Sequence, residues 1–227
     1  MIVGLIGPGG EGGTFLDWTL HYLVGDKYVK VVSVNRITKT LTGIFKLDIV
    51  LNPIKPDGTA HNHYKAHPTE YLIQLCIDNF NLIDDTEINI HSMYIVPSAD
   101  SYANGRSYTD IVRDTADRYK EIKLIHFIYP DKNIEDLAKR MLKIPNYSED
   151  INSTRRRINA ARVDNKIVDR SNVYSLTIDN MFYNLESEIY KIFNWLELSI
   201  KDENYNSWLA VYKQWQLAQN FGTTIEN

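Results

Sequence analysis

The sequence predicts an α/β protein with a mainly parallel sheet that helices cover on both faces. Short apolar runs typical of buried strands alternate with longer segments of helical periodicity along most of the chain. The first apolar run, residues 2–6, leads directly into a glycine cluster and then a helix. Alternation of this kind is typical of parallel sheets, because a crossover helix must connect each strand to the next.

The predicted elements follow one another in a regular order. Strands are predicted at residues 2–6, 29–34, 87–96, 123–129 and 173–178, and helices at residues 14–24, 68–82, 108–119, 134–144, 185–198 and 207–221. Residues 44–51 fit either a strand or a helix, and the polar segment 150–170 is predicted as a further helix. Pro68 and Glu70 suit the first turn of the helix that they open. The last two predicted helices give the chain a helical C-terminus.

Length, charge and cysteine content narrow the class of protein. The 227 residues are 44% hydrophobic, which is enough for one large domain spanning residues 1–227. A net charge of −4 lacks the basic excess of a dedicated nucleic-acid binder. The lone Cys76 favours a reducing compartment, and no run approaches the ~20 apolar residues of a membrane span. We therefore expect a cytoplasmic protein with no nucleic-acid or membrane partner; the oligomeric state stays open.

A glycine-rich segment follows the first strand. Six of the eleven glycines fall between Gly4 and Gly13, although glycine destabilises ordinary helices and strands. From Gly7 to Thr14 the chain matches the P-loop pattern G-x-x-x-x-G-K-[ST], except that Gly13 replaces the lysine. Loops of this kind turn backbone N–H groups toward an anion at a helix N-terminus. The segment therefore predicts a three-layer P-loop NTPase-like fold.

The predicted anion site consists of Gly9, Gly10, Glu11, Gly12, Gly13, Thr14 and Phe15. The missing lysine argues against nucleotide hydrolysis, because that lysine supplies positive charge to the transferring phosphoryl group. Glu11 repels an anion unless its carboxylate points outward. We expect Gly12→Val to block anion binding and to leave the fold largely intact, since a branched side chain prevents close approach of the backbone. A glycine-rich turn without a ligand is the alternative.

Three segments resemble the sulfotransferase family. Residues 12–18, Gly-Gly-Thr-Phe-Leu-Asp-Trp, are similar to the family's donor-binding loop, P-[KR]-[SG]-G-T-T-[WF]-L. Residues 123–132 resemble its strand K-[IL]-I-x-[IV]-x-R-[ND]-P, and residues 173–182 with 189–198 resemble its last strand and helix. The resemblance implies a P-loop-like fold that transfers a sulfuryl group from 3′-phosphoadenosine 5′-phosphosulfate to a hydroxyl acceptor.

The chain departs from the family pattern at two cations. The basic residue of the family's loop falls on Gly10, and the arginine of its strand falls near Tyr129 or Pro130. Lys132 and Arg140 are the nearest cations to that second position, so the resemblance implies them as binders of the donor's 3′-phosphate. A basic run at residues 155–157 could also hold a phosphate, although such runs are more often solvated.

Sulfuryl transfer to a hydroxyl requires a base for the acceptor proton. The first candidate is His91, which we expect near the carboxyl end of its strand and beside the glycine loop, where parallel sheets bind ligands. A buried mid-strand histidine is the alternative. The second candidate is Lys65 with His67, in a segment similar to the family's K-T-H-x-P. We expect His91 to lie closer than His67 to the loop amides.

Other interpretations of these motifs stay open. His61, His63 and His67 could bind a metal, but their spacing lacks the framework of a strong zinc motif, so we predict no metal site. A solvated loop whose last histidine lies at a helix N-terminus is the favoured interpretation of this segment. A P-loop kinase or NTPase is one alternative function. A noncatalytic binding module on the same fold is the other, and the two missing cations favour it.

Overall fold

A computed structural model describes residues 1–7, 12–55, 68–81, 87–128 and 166–219. Within these ranges the chain forms a four-stranded sheet, a separate two-stranded hairpin and seven helices. The strands are β1 (Ile2–Ile6), β2 (Tyr28–Asn35), β3 (Thr40–Asp48), β4 (His91–Ile95), β5 (Ile122–Ile128) and β6 (Val173–Thr177). The helices are α1 (Gly13–Val24), α2 (Ile73–Asn81), α3 (Ala99–Ala103), α4 (Tyr108–Arg118), α5 (Ile178–Tyr183), α6 (Leu185–Leu196) and α7 (Asp202–Gln219).

The four-stranded sheet is entirely parallel, with the strand order β4-β1-β5-β6. Ile2 pairs with His91 on one side and Ile122 on the other, and Ile6 pairs with Ile95 and His126. Every residue of β1 is buried, because a parallel sheet is covered on both faces. The predicted α/β class with a mainly parallel sheet is confirmed.

Each face of the sheet carries its own hydrophobic core. Val3 and Leu5 pack in a cluster with α1 and the C-terminal helices α5, α6 and α7. Ile2 and Ile6 pack in a second cluster with α2 and α4. The two sets separate because successive side chains of a strand point to opposite faces. Any β5 or β6 residue can therefore be assigned to a face by its register.

The hairpin forms a second sheet that is not hydrogen-bonded to the main one, which the sequence did not predict. β2 and β3 pair antiparallel, and residues 44–48 of the ambiguous segment are strand. The connection is short, and the Asn35 side chain accepts the N–H groups of Ile37 and Thr38 within it. So short a connection permits only antiparallel pairing, since a parallel partner needs a long crossover.

Several boundaries also differ from the predictions. α2 begins at Ile73 rather than near Pro68, and Glu70 accepts the Ser98 N–H at 2.7 Å instead of facing the start of its own helix. α7 begins at Asp202, and the short α5 precedes α6. The predicted helix 134–144 and residues 150–165 lie outside the described residues, while residues 166–170 are not helical.

The last helix is held tightly against the first. The Trp208 indole donates to the Thr19 hydroxyl at 3.1 Å, and the Trp215 ring stacks on Phe15 with centroids 4.3 Å apart. Phe182 stacks on the same indole at 5.0 Å. Burial of such large rings contributes several kcal/mol of stability, so α7 fixes the start of α1.

Among the described helices, none has the length and apolar character that a membrane span requires.

Candidate functional site at the carboxyl end of the sheet

The start of α1 lies at the carboxyl end of β1, an interior strand. Gly12 has the left-handed φ of 81°, and its carbonyl accepts the N–H groups of Phe15 at 2.9 Å and Leu16 at 3.0 Å. The first N–H groups of a helix point out of its N-terminus together with the positive end of its dipole. Gly9, Gly10 and Glu11 lie outside the described residues, so their part in an anion site stays a prediction.

Gly12 and Gly13, at the end of the loop, are closely packed. A Cβ on Gly12 would lie 3.0 Å from Met181 Cε and from two ring carbons of Trp215, and one on Gly13 would lie 2.5 Å from Tyr94 Cε2. Gly12→Val therefore disturbs the packing as well as the loop, contrary to our expectation that the fold stays intact. The Tyr94 ring also leaves no room at position 13 for the lysine of nucleotide P-loops.

Phe15 lies in the core rather than at a ligand surface. Its side chain is fully buried against Trp215, and its N–H is bonded to the Gly12 carbonyl. The expected contact of Phe15 with a cofactor therefore has no support from its position. The neighbouring Thr14 is half-buried in the first turn of α1, and its contact with an anion stays a prediction.

His91 lies at the opposite end of the sheet from the glycine loop. It is the first residue of β4 and pairs with Ile2, whereas the loop follows Ile6. Four strand residues at 3.3 Å each separate the two levels by about 13 Å. The expected position at the carboxyl end is wrong, because four more residues of β4 follow His91 before the strand ends at Ile95. Burial, followed by the positive charges of the N-terminus and Lys30, lowers the pKa of His91 to about 4.

The segment that carries the second base candidate rejoins the described chain at the loop end of the sheet. The Pro68 carbonyl accepts the Val96 N–H at 3.0 Å, just beyond the end of β4. Glu70 is buried and accepts hydrogen bonds from the Ser98 N–H and the Ser101 hydroxyl. Several predicted residues lie outside the described ranges, so their roles stay predictions: His61, His63, Lys65, His67, Lys132 and Arg140.

A histidine that the sequence analysis missed lies at the level of the loop. His126 of β5 pairs with Ile6 and has no exposed surface. Its ring centroid lies 5.0 Å from that of Tyr108, whose hydroxyl donates to the Ile6 carbonyl at 2.7 Å. Burial lowers the pKa of His126 to about 3, which keeps its ring neutral. The signal available in the sequence was a polar residue inside an otherwise apolar strand.

Another buried histidine lies at the amino end of the sheet. His21 Nδ1 lies 2.8 Å from Asp26 Oδ2, and its Nε2 lies 2.9 Å from Ser92 Oγ. The connectivity is that of a serine hydrolase triad, but the three residues are buried at the amino end of the sheet, away from the carboxyl end where parallel sheets bind ligands. Asp26 also accepts the N–H groups of Asn89 and Ile90. The network joins the end of α1 to β4.

No cluster of three or more metal-ligating side chains occurs in the described ranges. Comparison with known proteins finds no matching family model and no curated protein of significant sequence similarity. Fold and site define an α/β protein with a mainly parallel sheet, in which a helix N-terminus lies at the end of an interior strand.

Proposed function

We propose that the chain binds an anionic nucleotide at the start of α1, and that this nucleotide is 3′-phosphoadenosine 5′-phosphosulfate, as the resemblance to sulfotransferases implies. The observation that carries the proposal is the left-handed Gly12 followed at once by a helix N-terminus at the end of β1. Backbone N–H groups and the helix dipole favour a phosphate or sulfate there.

The proposed reaction is sulfuryl transfer to a hydroxyl acceptor. The sulfur–oxygen bond to the donor phosphate breaks, a bond to the acceptor oxygen forms, and a base takes the acceptor proton. We assign that base to His67, with Lys65 as the nearby cation. The hydrogen bond of Pro68 at the end of β4 supports this choice over His91, since it brings the chain back at the loop end.

One structural observation argues against the first alternative function, and another favours the second. A kinase or NTPase is disfavoured, because the Tyr94 ring occupies the space that a lysine side chain at position 13 would need. A noncatalytic module would use the same anion site without a base. The position of His91 far from the loop is the observation that favours this module.

Titration calorimetry tests the proposal with 3′,5′-adenosine bisphosphate and, separately, ATP with magnesium. We expect the bisphosphate to bind, and Thr14→Val to weaken it about tenfold, since a hydrogen bond to a charged group contributes about 1.5–3 kcal/mol. Thr42→Val, an exposed threonine of β3, is the matched control and should bind normally.

The outcomes separate the candidate functions. Tight binding of ATP with magnesium in place of the bisphosphate supports a kinase or NTPase, and binding of neither nucleotide overturns the proposal. A variant His67→Gln that still binds the bisphosphate but no longer transfers the sulfuryl group supports a transferase. Bisphosphate binding without any transfer by the wild type supports the binding module.

A further inference from the structure

Two polar side chains near the glycine loop have no hydrogen-bond partner among the described residues. Both ring nitrogens of His126 and the hydroxyl oxygen of Ser175 are buried atoms of this kind. The register pairs Ile6 with His126 and His126 with Ser175, so the two side chains lie on neighbouring strands at one level.

Both side chains belong to the same face of the sheet. Leu124 of β5 and Val173 of β6 pack in the cluster that contains Ile6. His126 and Ser175 each follow by two residues, so strand alternation directs them to that face as well. The Tyr108 ring, which is bonded through its hydroxyl to the Ile6 carbonyl, packs beside His126. His126 therefore lies beside Ile6, the last residue of β1 before the loop, and Ser175 lies one strand further from it.

Leaving these groups without partners costs stability. A buried polar group without a hydrogen bond is destabilising, and more than nine in ten such groups in proteins are satisfied. An apolar residue at position 126 would fit the cluster without this penalty. The neutral imidazole offers one donor and one acceptor, and the serine hydroxyl offers both, so the pair suits an uncharged polar group.

The strand order places His126 at the crevice where parallel sheets bind ligands, with Ser175 on the next strand outward. The sheet strand that follows β1 in the chain is β4, on one side, and the strand that follows β5 is β6, on the other. Ligands bind between the carboxyl ends of two neighbouring strands whose connections diverge in this way. His126 lies on the second of these strands, two residues before it ends at Ile128.

We propose that His126 and Ser175 form a hydrogen-bonding subsite for an uncharged polar group of the bound nucleotide, a ribose hydroxyl or the edge of the base. This proposal rests on the nucleotide binding proposed above. It adds that the protein recognises the nucleoside part of that nucleotide. The ligand supplies the hydrogen bonds that no described protein group makes to these two side chains.

The test compares stability with affinity in His126→Leu and Ser175→Ala. Thermal unfolding gives stability, and calorimetry with 3′,5′-adenosine bisphosphate gives affinity. His126→Leu should unfold at the same or a higher temperature than wild type, yet bind at least tenfold more weakly. Ser175→Ala should bind about threefold more weakly, as expected for one neutral hydrogen bond. Phe127→Leu, on the opposite face of β5, is the control, with lower stability and normal affinity.

Unchanged affinity in both variants, with bisphosphate still bound by the wild type, overturns the subsite and leaves the proposed function standing. A lower unfolding temperature in both variants also overturns it, because the two side chains then have partners within the protein. If the wild type binds no bisphosphate, the nucleotide proposal fails and the subsite fails with it.

Discussion

Two buried histidines at opposite ends of the sheet differ in whether their ring nitrogens are hydrogen-bonded. His21, at the amino end, has both ring nitrogens within hydrogen-bond distance of a carboxylate and a hydroxyl. His126, at the carboxyl end, has neither nitrogen bonded to any described residue. Both rings lack exposed surface. The His21 network stabilises the amino end, although His91 Nδ1 at that end also has no partner among the described residues. The difference between His21 and His126 teaches that some buried polar groups stabilise the fold, whereas others stay unsatisfied, as groups in ligand sites do at a cost in stability.

The largest effect is expected at the amino end. Asp26→Ala removes the acceptor of His21 and of the Asn89 and Ile90 N–H groups, and leaves the buried donors of His21 and Ile90 unpaired. We expect a loss of about 3 kcal/mol or more in the free energy of unfolding, measured by urea denaturation. Glu121→Ala, at an exposed turn, should change it by less than about 0.5 kcal/mol. A loss below about 1 kcal/mol for Asp26→Ala would contradict the stabilising role of the network.

The pH dependence of stability tests whether the buried His126 stays neutral in the folded protein. The pKa of His126 is about 3 in the folded protein against 6.5 as its ordinary value, and that of His91 is about 4. Below pH 6.5 the unfolded chain takes up protons that the folded chain does not, so stability is lost as the pH falls toward these lowered values. Each histidine contributes a slope of about 1.4 kcal/mol per pH unit.

Removing the His126 ring should therefore flatten this profile. We expect His126→Leu to reduce the slope between pH 6 and 4.5 by about 1.4 kcal/mol per pH unit, measured by urea denaturation at several pH values. Asp48→Asn, an exposed site on β3, should leave that slope nearly unchanged. An unaltered slope in His126→Leu would mean that the ring protonates in the folded state.

The smallest effects come from a matched pair of serines. Ser92→Ala removes the partner of the His21 Nε2 and should cost about 1–2 kcal/mol. Ser175→Ala removes a hydroxyl that has no partner among the described residues, so we expect no loss of stability. Thermal unfolding of the two variants side by side measures both. A greater loss of stability for Ser175→Ala than for Ser92→Ala would contradict the difference between the two ends of the sheet.

Local patterns predicted much of the described architecture. Strands β1, β5 and β6 lie within two residues of their predicted bounds, because continuous apolar runs are typical of strands buried on both faces. The loop-to-helix transition at Gly12 also follows from local chemistry, since glycine readily adopts the left-handed conformation found there. The site predictions depended on register instead. His91 was expected near the glycine loop, but it pairs with Ile2 at the amino end of β1, and no local pattern shows that pairing.

The sequence by itself determined the α/β class, the parallel character of the sheet and the start of α1 after the glycines, because periodicity and glycine conformation act within a few residues. Only the tertiary structure decided that β2 and β3 form a separate hairpin, that Tyr94 fills the space above Gly13, and that Phe15 belongs to the core. It also set the unlike surroundings of His21 and His126. Strand order and cross-strand register bring together residues more than a hundred positions apart, such as Ile6 and His126, and no local pattern encodes such contacts.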